Sequence, residues 1–89
     1  MNLLITMFSC YLTSANTDTR KEFFDIDSAF DHIIKELMME GDMTKLDATE
    51  LIGTVRKIYV EAGYPVNFNV WEVENDNGEL VRMFINYFE

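Results

Sequence analysis

The chain is short of several things that decide function. It has one cysteine in 89 residues, so no intrachain disulfide can form and bridge-dependent secreted scaffolds are excluded. One histidine and one cysteine cannot complete a structural zinc site within one chain. The four glycines stand singly at 41, 53, 63 and 78, so no glycine-rich loop is present to cradle a phosphate. Seven Lys and Arg face sixteen Asp and Glu, a formal net charge of -9. That balance argues against direct binding of nucleic acid by phosphate neutralisation and against docking on anionic lipid. The apolar run from Leu3 to Leu12 is too short to span a bilayer. It also lacks the positive leader of a secretory signal, since no Lys or Arg precedes Arg20, although Ser14-Ala15 would pass for a cleavage site. The run reads as a strand, and the protein as cytoplasmic with no membrane partner.

What is present is an ordinary apolar fraction of 48%, enough for one core in one domain spanning residues 1–89. Over residues 2–12, Leu3, Ile5, Met7 and Tyr11 fall on one strand face and Leu4, Phe8, Cys10 and Leu12 on the other. Such two-sided strands are central or covered on both faces. Thr13 to Thr19 is polar turn material, and Arg20 to Ile26 suits a second strand closing a hairpin. Asp27 or Ser28 is placed to cap a first helix carrying Ala29, Phe30, Ile33, Ile34, Leu37 and Met38 on one side, with Gly41 ending it.

Asp47-Ala48-Thr49-Glu50 resembles a capping box, with Leu46 and Leu51 at the positions of a hydrophobic staple. Leu51, Ile52, Val55, Ile58, Tyr59 and Ala62 then form one stripe on a second helix. Gly63 suits a left-handed ending, Tyr64 can fold back on Tyr59, and Pro65 blocks continuation. Asn77-Gly78 fits a two-residue hairpin turn between two C-terminal strands. That turn pairs Glu74 with Val81, Glu72 with Met83 and Trp71 with Phe84. It sets Val66, Phe68, Val70, Met83, Ile85 and Tyr87 beneath the helices, and leaves Trp71, Phe84 and Phe88 on the far face. A register error of one residue would exchange the two faces. The expected fold is α+β, in the order β-β-α-α-β-β, an antiparallel sheet with two helices on one face. Two helices cover one side of four strands, so the far face has nothing to cover it.

No catalytic constellation emerges. His32, four residues before Glu36, reads as a half-exposed member of an ordinary helical pair. Cys10 reads as an inert core thiol, because thiolate chemistry needs an electropositive setting. The pairs Asp25/Asp27 and Glu40/Asp42 lack the loop pattern of a calcium site. No catalytic, cofactor-binding or metal-binding residue is therefore assigned, no cofactor is expected, and the chain reads as a non-enzyme.

Two surface features remain. The first is acidic: Asp25, Asp27, Asp31, Glu36, Glu40 and Asp42 run along or beside the first helix, and Glu72, Glu74, Asp76 and Glu79 gather near the hairpin tip. The second is aromatic, Trp71, Phe84 and Phe88 on the uncovered sheet face, the composition of an interface core. In composition, this short acidic α+β chain resembles the small inhibitors encoded by bacteriophages and mobile elements, among them DNA-mimic anti-restriction proteins and anti-CRISPR proteins. The resemblance implies a stoichiometric blocker that occupies the basic site of a nucleic-acid-handling protein.

Three functions follow in order of preference. The first is a non-enzymatic inhibitor that binds a basic protein partner, such as a nucleic-acid-binding enzyme, through the acidic surface. The second is a small regulatory or housekeeping domain, homodimeric through its sheet, whose charge serves solubility. The third is a ligand binder or small enzyme using a pocket around His32, Tyr59 and Cys10.

Overall fold

The computed structural model describes residues 7–14 and 18–88. The elements are β1 (Met7–Thr13), β2 (Asp18–Phe23), α1 (Ile26–Gly41), α2 (Lys45–Glu61), β3 (Phe68–Glu74) and β4 (Leu80–Phe88). They form one α+β domain in the expected order, a four-stranded antiparallel sheet with both helices packed against it. The sheet order is β2-β1-β4-β3. The first and last strands of the chain are therefore neighbours at its centre, and β2 and β3 are its edges. The expected strand extended back to residue 2, and residues 2–6 lie outside the described residues, as do 15–17 of the expected turn.

Local chemistry moves several boundaries. The second strand was expected over Arg20 to Ile26, but β2 ends at Phe23 and Ile26 already opens α1. The α1 cap is Asp25, not Asp27 or Ser28: its carboxylate accepts from the Ser28 backbone N–H at 2.8 Å. This satisfies one of the orphan donors at the helix start. At the other end the helix runs through Gly41 and stops at Asp42, which is left-handed at φ 52. Gly41 is needed for close approach, since a Cβ there would lie 3.2 Å from Leu37 Cδ1 and 3.3 Å from Val73 Cγ1. The helix thereby seats its last turn on β3.

The second helix starts earlier than the Asp47 box implies, because Thr44 Oγ1 accepts from the Asp47 backbone N–H at 3.2 Å. With the cap moved back, Leu46 is exposed and makes no staple. Its C-terminus ends as the residues foretold. Tyr64 N–H donates to Tyr59 O and Gly63 N–H to Val60 O, both at 3.1 Å. This is the paired bonding of a Schellman ending, and the Tyr59 and Tyr64 rings meet edge-on at 5.3 Å.

The hairpin corrects the expected register. Asn77 is absent from the positive-φ residues, whereas Gly78 has φ 78, so the two-residue turn with both central residues left-handed does not form. Instead Asn75 N–H donates to Glu79 O and Gly78 N–H to Asn75 O, each at 2.9 Å. The Asn75 side chain accepts from the backbone of Asn77 and Glu79, both at 3.0 Å. The loop is thus three residues ending in a left-handed glycine, the next commonest hairpin. One extra residue in the turn slips β3 by one place. Glu74 pairs with Leu80, Glu72 with Arg82, and Trp71 with Met83. A β-bulge between Asn69 and Trp71 adds a second one-residue shift, so Phe68 pairs with Ile85 and not Tyr87, and the two shifts together keep it on the helix side.

The core lies between the helices and the inner sheet face. Phe8 and Cys10 of β1, Val81, Met83 and Ile85 of β4, and Val70 and Trp71 of β3 meet Phe30, Ile33 and Leu37 of α1 and Ile52 and Tyr59 of α2. The α2 stripe is wider than its cover: Ile52 and Tyr59 are buried, while Leu51, Ile58 and Ala62 are exposed.

Candidate protein-interaction surface

The carboxylates of α1 do not make one row. Asp27 and Glu36 are nine residues apart, about two and a half helical turns, and so point to opposite flanks. On the flank facing α2, Asp27 pairs with Arg56 at 2.6 Å. There Asp31 joins Ile34, Lys35, Met38, Lys45 and Thr49 around an interhelical cavity of about 420 Å³. Asp25 is occupied at the cap. The Ser28 backbone hydrogen bond, followed by the Ser28 side chain, holds its carboxyl below the usual aspartate range. On the other flank Glu36 lies near His32, whose ring packs on Phe23 at 5.2 Å. Burial lowers the His32 pKa, and the nearby Glu36 charge works against that shift.

The remaining acids share one end of the molecule but not one face, because Glu72 and Glu74 point from the outer side of the sheet. Because Gly41 seats on Val73, Glu40 and Asp42 stand at the same end of the molecule as Glu72, Glu74, Asp76 and Glu79. The six come from two layers, helix end and hairpin. Among them Glu72 pairs with Arg82 at 3.2 Å. The last turn of α1 contains no basic residue, although a helix C-terminus carries about half a negative charge and favours cations by roughly 0.3–1 kcal/mol each. The chain thus places carboxylates where helix electrostatics oppose them.

The aromatic face differs from expectation. Trp71 is not on it: the slipped register turns the indole beneath the helices, 5% exposed, with Nε1 donating to Ile33 O at 3.3 Å. Phe84 and Phe88 do lie on the outer face, in partly buried and exposed positions. Phe84 stacks on Tyr11 of β1 at 5.1 Å and 14°, and the Arg20 guanidinium sits over the other side of Tyr11, 5.1 Å from the ring centre. Cross-strand pairing aligns Arg20, Tyr11, Phe84 and Asn69 in one row. Beside that row the Tyr11 hydroxyl donates to Asn67 Oδ1, the Asn67 backbone N–H donates to Asn86 Oδ1, and Asn86 Nδ2 donates to Asn67 Oδ1 at 3.0 Å. Arg20 was missed in the sequence, because only the β1–β4 adjacency brings it and Tyr11 beside Phe84. The outer face is a stacked aromatic row within a polar lattice, with Phe88 exposed at one end.

The residues of the third functional reading, His32, Tyr59 and Cys10, are placed as follows. Cys10 Sγ–H donates to Ala29 O at 3.9 Å, and burial pushes the thiol pKa up to about 12. Tyr59 is fully buried, its hydroxyl without a hydrogen-bond partner among the described residues, and its pKa rises to about 12, chiefly through burial. Neither residue, nor His32, lines the interhelical cavity or the second one at Tyr11, Thr13, Asp18, Thr19 and Arg20. Among the described residues no group of three His, Cys, Asp or Glu is placed to hold a metal ion, and no helix is long and apolar enough to cross a membrane. Comparison with protein-family models, curated proteins and solved structures finds no match.

Proposed function

We propose that this protein is a non-enzymatic binding module that engages a basic protein surface through its acidic end, in the manner of an inhibitor occupying a nucleic-acid-handling site. The observation that carries the reading is the placing of Glu40 and Asp42 against the α1 dipole, at the end of the molecule where Gly41 meets Val73 and the acidic hairpin tip begins. Carboxylates that serve solubility alone have no reason to collect where they cost helix stability. The partner is a protein whose groove normally holds phosphates, which this end replaces with carboxylates. The wider α1 surface, Asp25, Asp27, Asp31 and Glu36, adds steering charge and not contact, since it is divided between two flanks and partly engaged in a cap and an ion pair.

The test is inhibition. Purified restriction and RNA-guided nucleases are titrated with the protein while cleavage of a labelled duplex is followed. Loss of cleavage at about one equivalent, restored by excess duplex, is the expected result for at least one nuclease. Unchanged cleavage across the panel, or an Asp42→Asn/Glu74→Gln/Asp76→Asn variant as potent as the native protein, contradicts the reading.

A further inference from the structure

We infer that the cleft between α1 and α2 is a binding site for a small organic anion with an apolar body. Asp31, Ile34, Lys35 and Met38 follow one another at spacings of three, one and three residues, which puts them on one flank of α1 over two turns. Lys45 and Thr49, one turn apart, face them from the start of α2. The six residues line a cavity of about 420 Å³, within the usual range of small-molecule sites, roughly 300–1,000 Å³. Ile34 and Met38 are half-buried and supply an apolar floor, whereas Asp31, Lys35, Lys45 and Thr49 are exposed and stand at the rim.

Charge chooses the occupant. The chain as a whole is at -9, yet this cleft carries two lysines against one aspartate. Neither lysine is held in an ion pair among the described residues, where the ion pairs are Arg56–Asp27 and Arg82–Glu72. The next acid along the α1 flank, Asp27, is therefore already taken up by Arg56. An anionic head set between Lys35 and Lys45 gains both charges, while its body removes Ile34 and Met38 from water. A neutral body leaves the lysines unanswered, and a cation is repelled by them. Asp31 opposes the anion from the rim and limits its affinity. The second cavity, beside Tyr11, offers no such bias, because its lining holds one Arg and one Asp.

No acid of the proposed protein-binding end lines the cleft, so either assignment can fail without the other.

Proton–nitrogen correlation spectra of the native protein, titrated with three probes of one shape, decide the matter: naphthoate, the neutral naphthamide and the cationic naphthylmethylammonium. Naphthoate is expected to shift the amides of residues 31–38 and 45–49 and to saturate with a Kd of about 0.1–1 mM. Naphthamide is expected to bind at least about threefold more weakly, and the cation not to saturate. Lys35→Gln/Lys45→Gln should weaken naphthoate about three- to tenfold. Asp31→Asn should tighten it about twofold, the opposite sign, because a rim charge that repels the head is gone. All three positions are exposed, so each variant should keep its Tm within about 3 °C of native. Absence of saturable shifts, shifts centred on Tyr11 and Arg20, naphthamide binding as well as naphthoate, a folded lysine variant of native affinity, or weaker binding by Asp31→Asn would each overturn the proposal.

Discussion

Replacing Trp71 with alanine separates two readings of the hairpin that differ by a single residue of register. In the two-residue turn the indole stands on the outer face, where surface substitutions usually change stability by no more than about 0.5 kcal/mol. In the observed register the ring is 5% exposed beneath α1 and donates to Ile33 O. A buried Trp→Ala substitution costs about 3–5 kcal/mol. A domain of 89 residues has roughly 4–13 kcal/mol in total, so the loss is a large share of the fold's stability. An unfolding entropy near 2.1 cal/mol/K per residue gives about 0.19 kcal/mol/K for this chain, and the expected fall in Tm is about 15–25 °C. Differential scanning calorimetry measures it. Trp71 is also the only tryptophan, so native emission should be blue-shifted and resist acrylamide quenching until the chain unfolds. A Tm change below about 3 °C, with quenching like that of free tryptophan, would refute the observed register.

Three further outcomes follow from single groups. Tyr59→Phe removes a buried hydroxyl with no hydrogen-bond partner among the described residues and should raise stability by about 1–2 kcal/mol, read as an increase in Tm of about 5–10 °C; a fall would show that the hydroxyl is satisfied. Cys10, with its pKa raised from 9.0 to about 12, should ignore Ellman's reagent at pH 8 until denaturant is added. Since the folded thiol holds its proton when the unfolded one has lost it, stability should be insensitive to this group below pH 9 and fall between about pH 9 and 12, a slope that Cys10→Ala reduces, leaving the Tyr59 contribution above pH 10. Gly63→Ala meets no atom within 4 Å but must adopt φ +80, so it should cost about 1–2 kcal/mol through backbone strain alone.

Most of the architecture was legible because its signals are local. The stripe of α1, the Gly63–Tyr64 ending of α2 and the alternation of β4 each depend on residues a few places apart. The register of β3 was not, because Asn77-Gly78 supports two loop lengths and the Asn75 side chain chooses between them by accepting two backbone donors. A warning was nevertheless visible: the shorter turn set Glu72 and Glu74 opposite Met83 and Val81 on the helix side, and buried carboxylates without partners are expensive. The observed turn returns both to the outer face and exchanges them for Trp71 and Val73. The acidic surface was legible as composition but not as shape. Helical geometry divides Asp27 from Glu36, whereas the close approach of Gly41 to Val73 brings Glu40 and Asp42 to the hairpin end of the molecule. That contact spans 32 residues of sequence, and nothing local announces it.

In the proposed function the acidic end is directed at a basic partner, and the exposed seam of Leu51 and Ile58 on α2 is flanked by Asp47 and Glu61. The outer sheet face carries the Arg20–Tyr11–Phe84 stack and the asparagine lattice, with the buried Ser9 hydroxyl beside Asn86 left without a hydrogen-bond partner among the described residues. This arrangement makes salt the most discriminating variable, because association through screened carboxylates weakens with ionic strength.

The most direct measurement is therefore the affinity for an inhibited nuclease, by isothermal titration between about 50 and 500 mM NaCl, for the native protein and for Asp42→Asn/Glu74→Gln/Asp76→Asn. The expected result is affinity that falls steeply with salt for the native chain, and a weaker, flatter dependence for the variant. Equal affinities and equal slopes would show that the acidic end is not the binding surface.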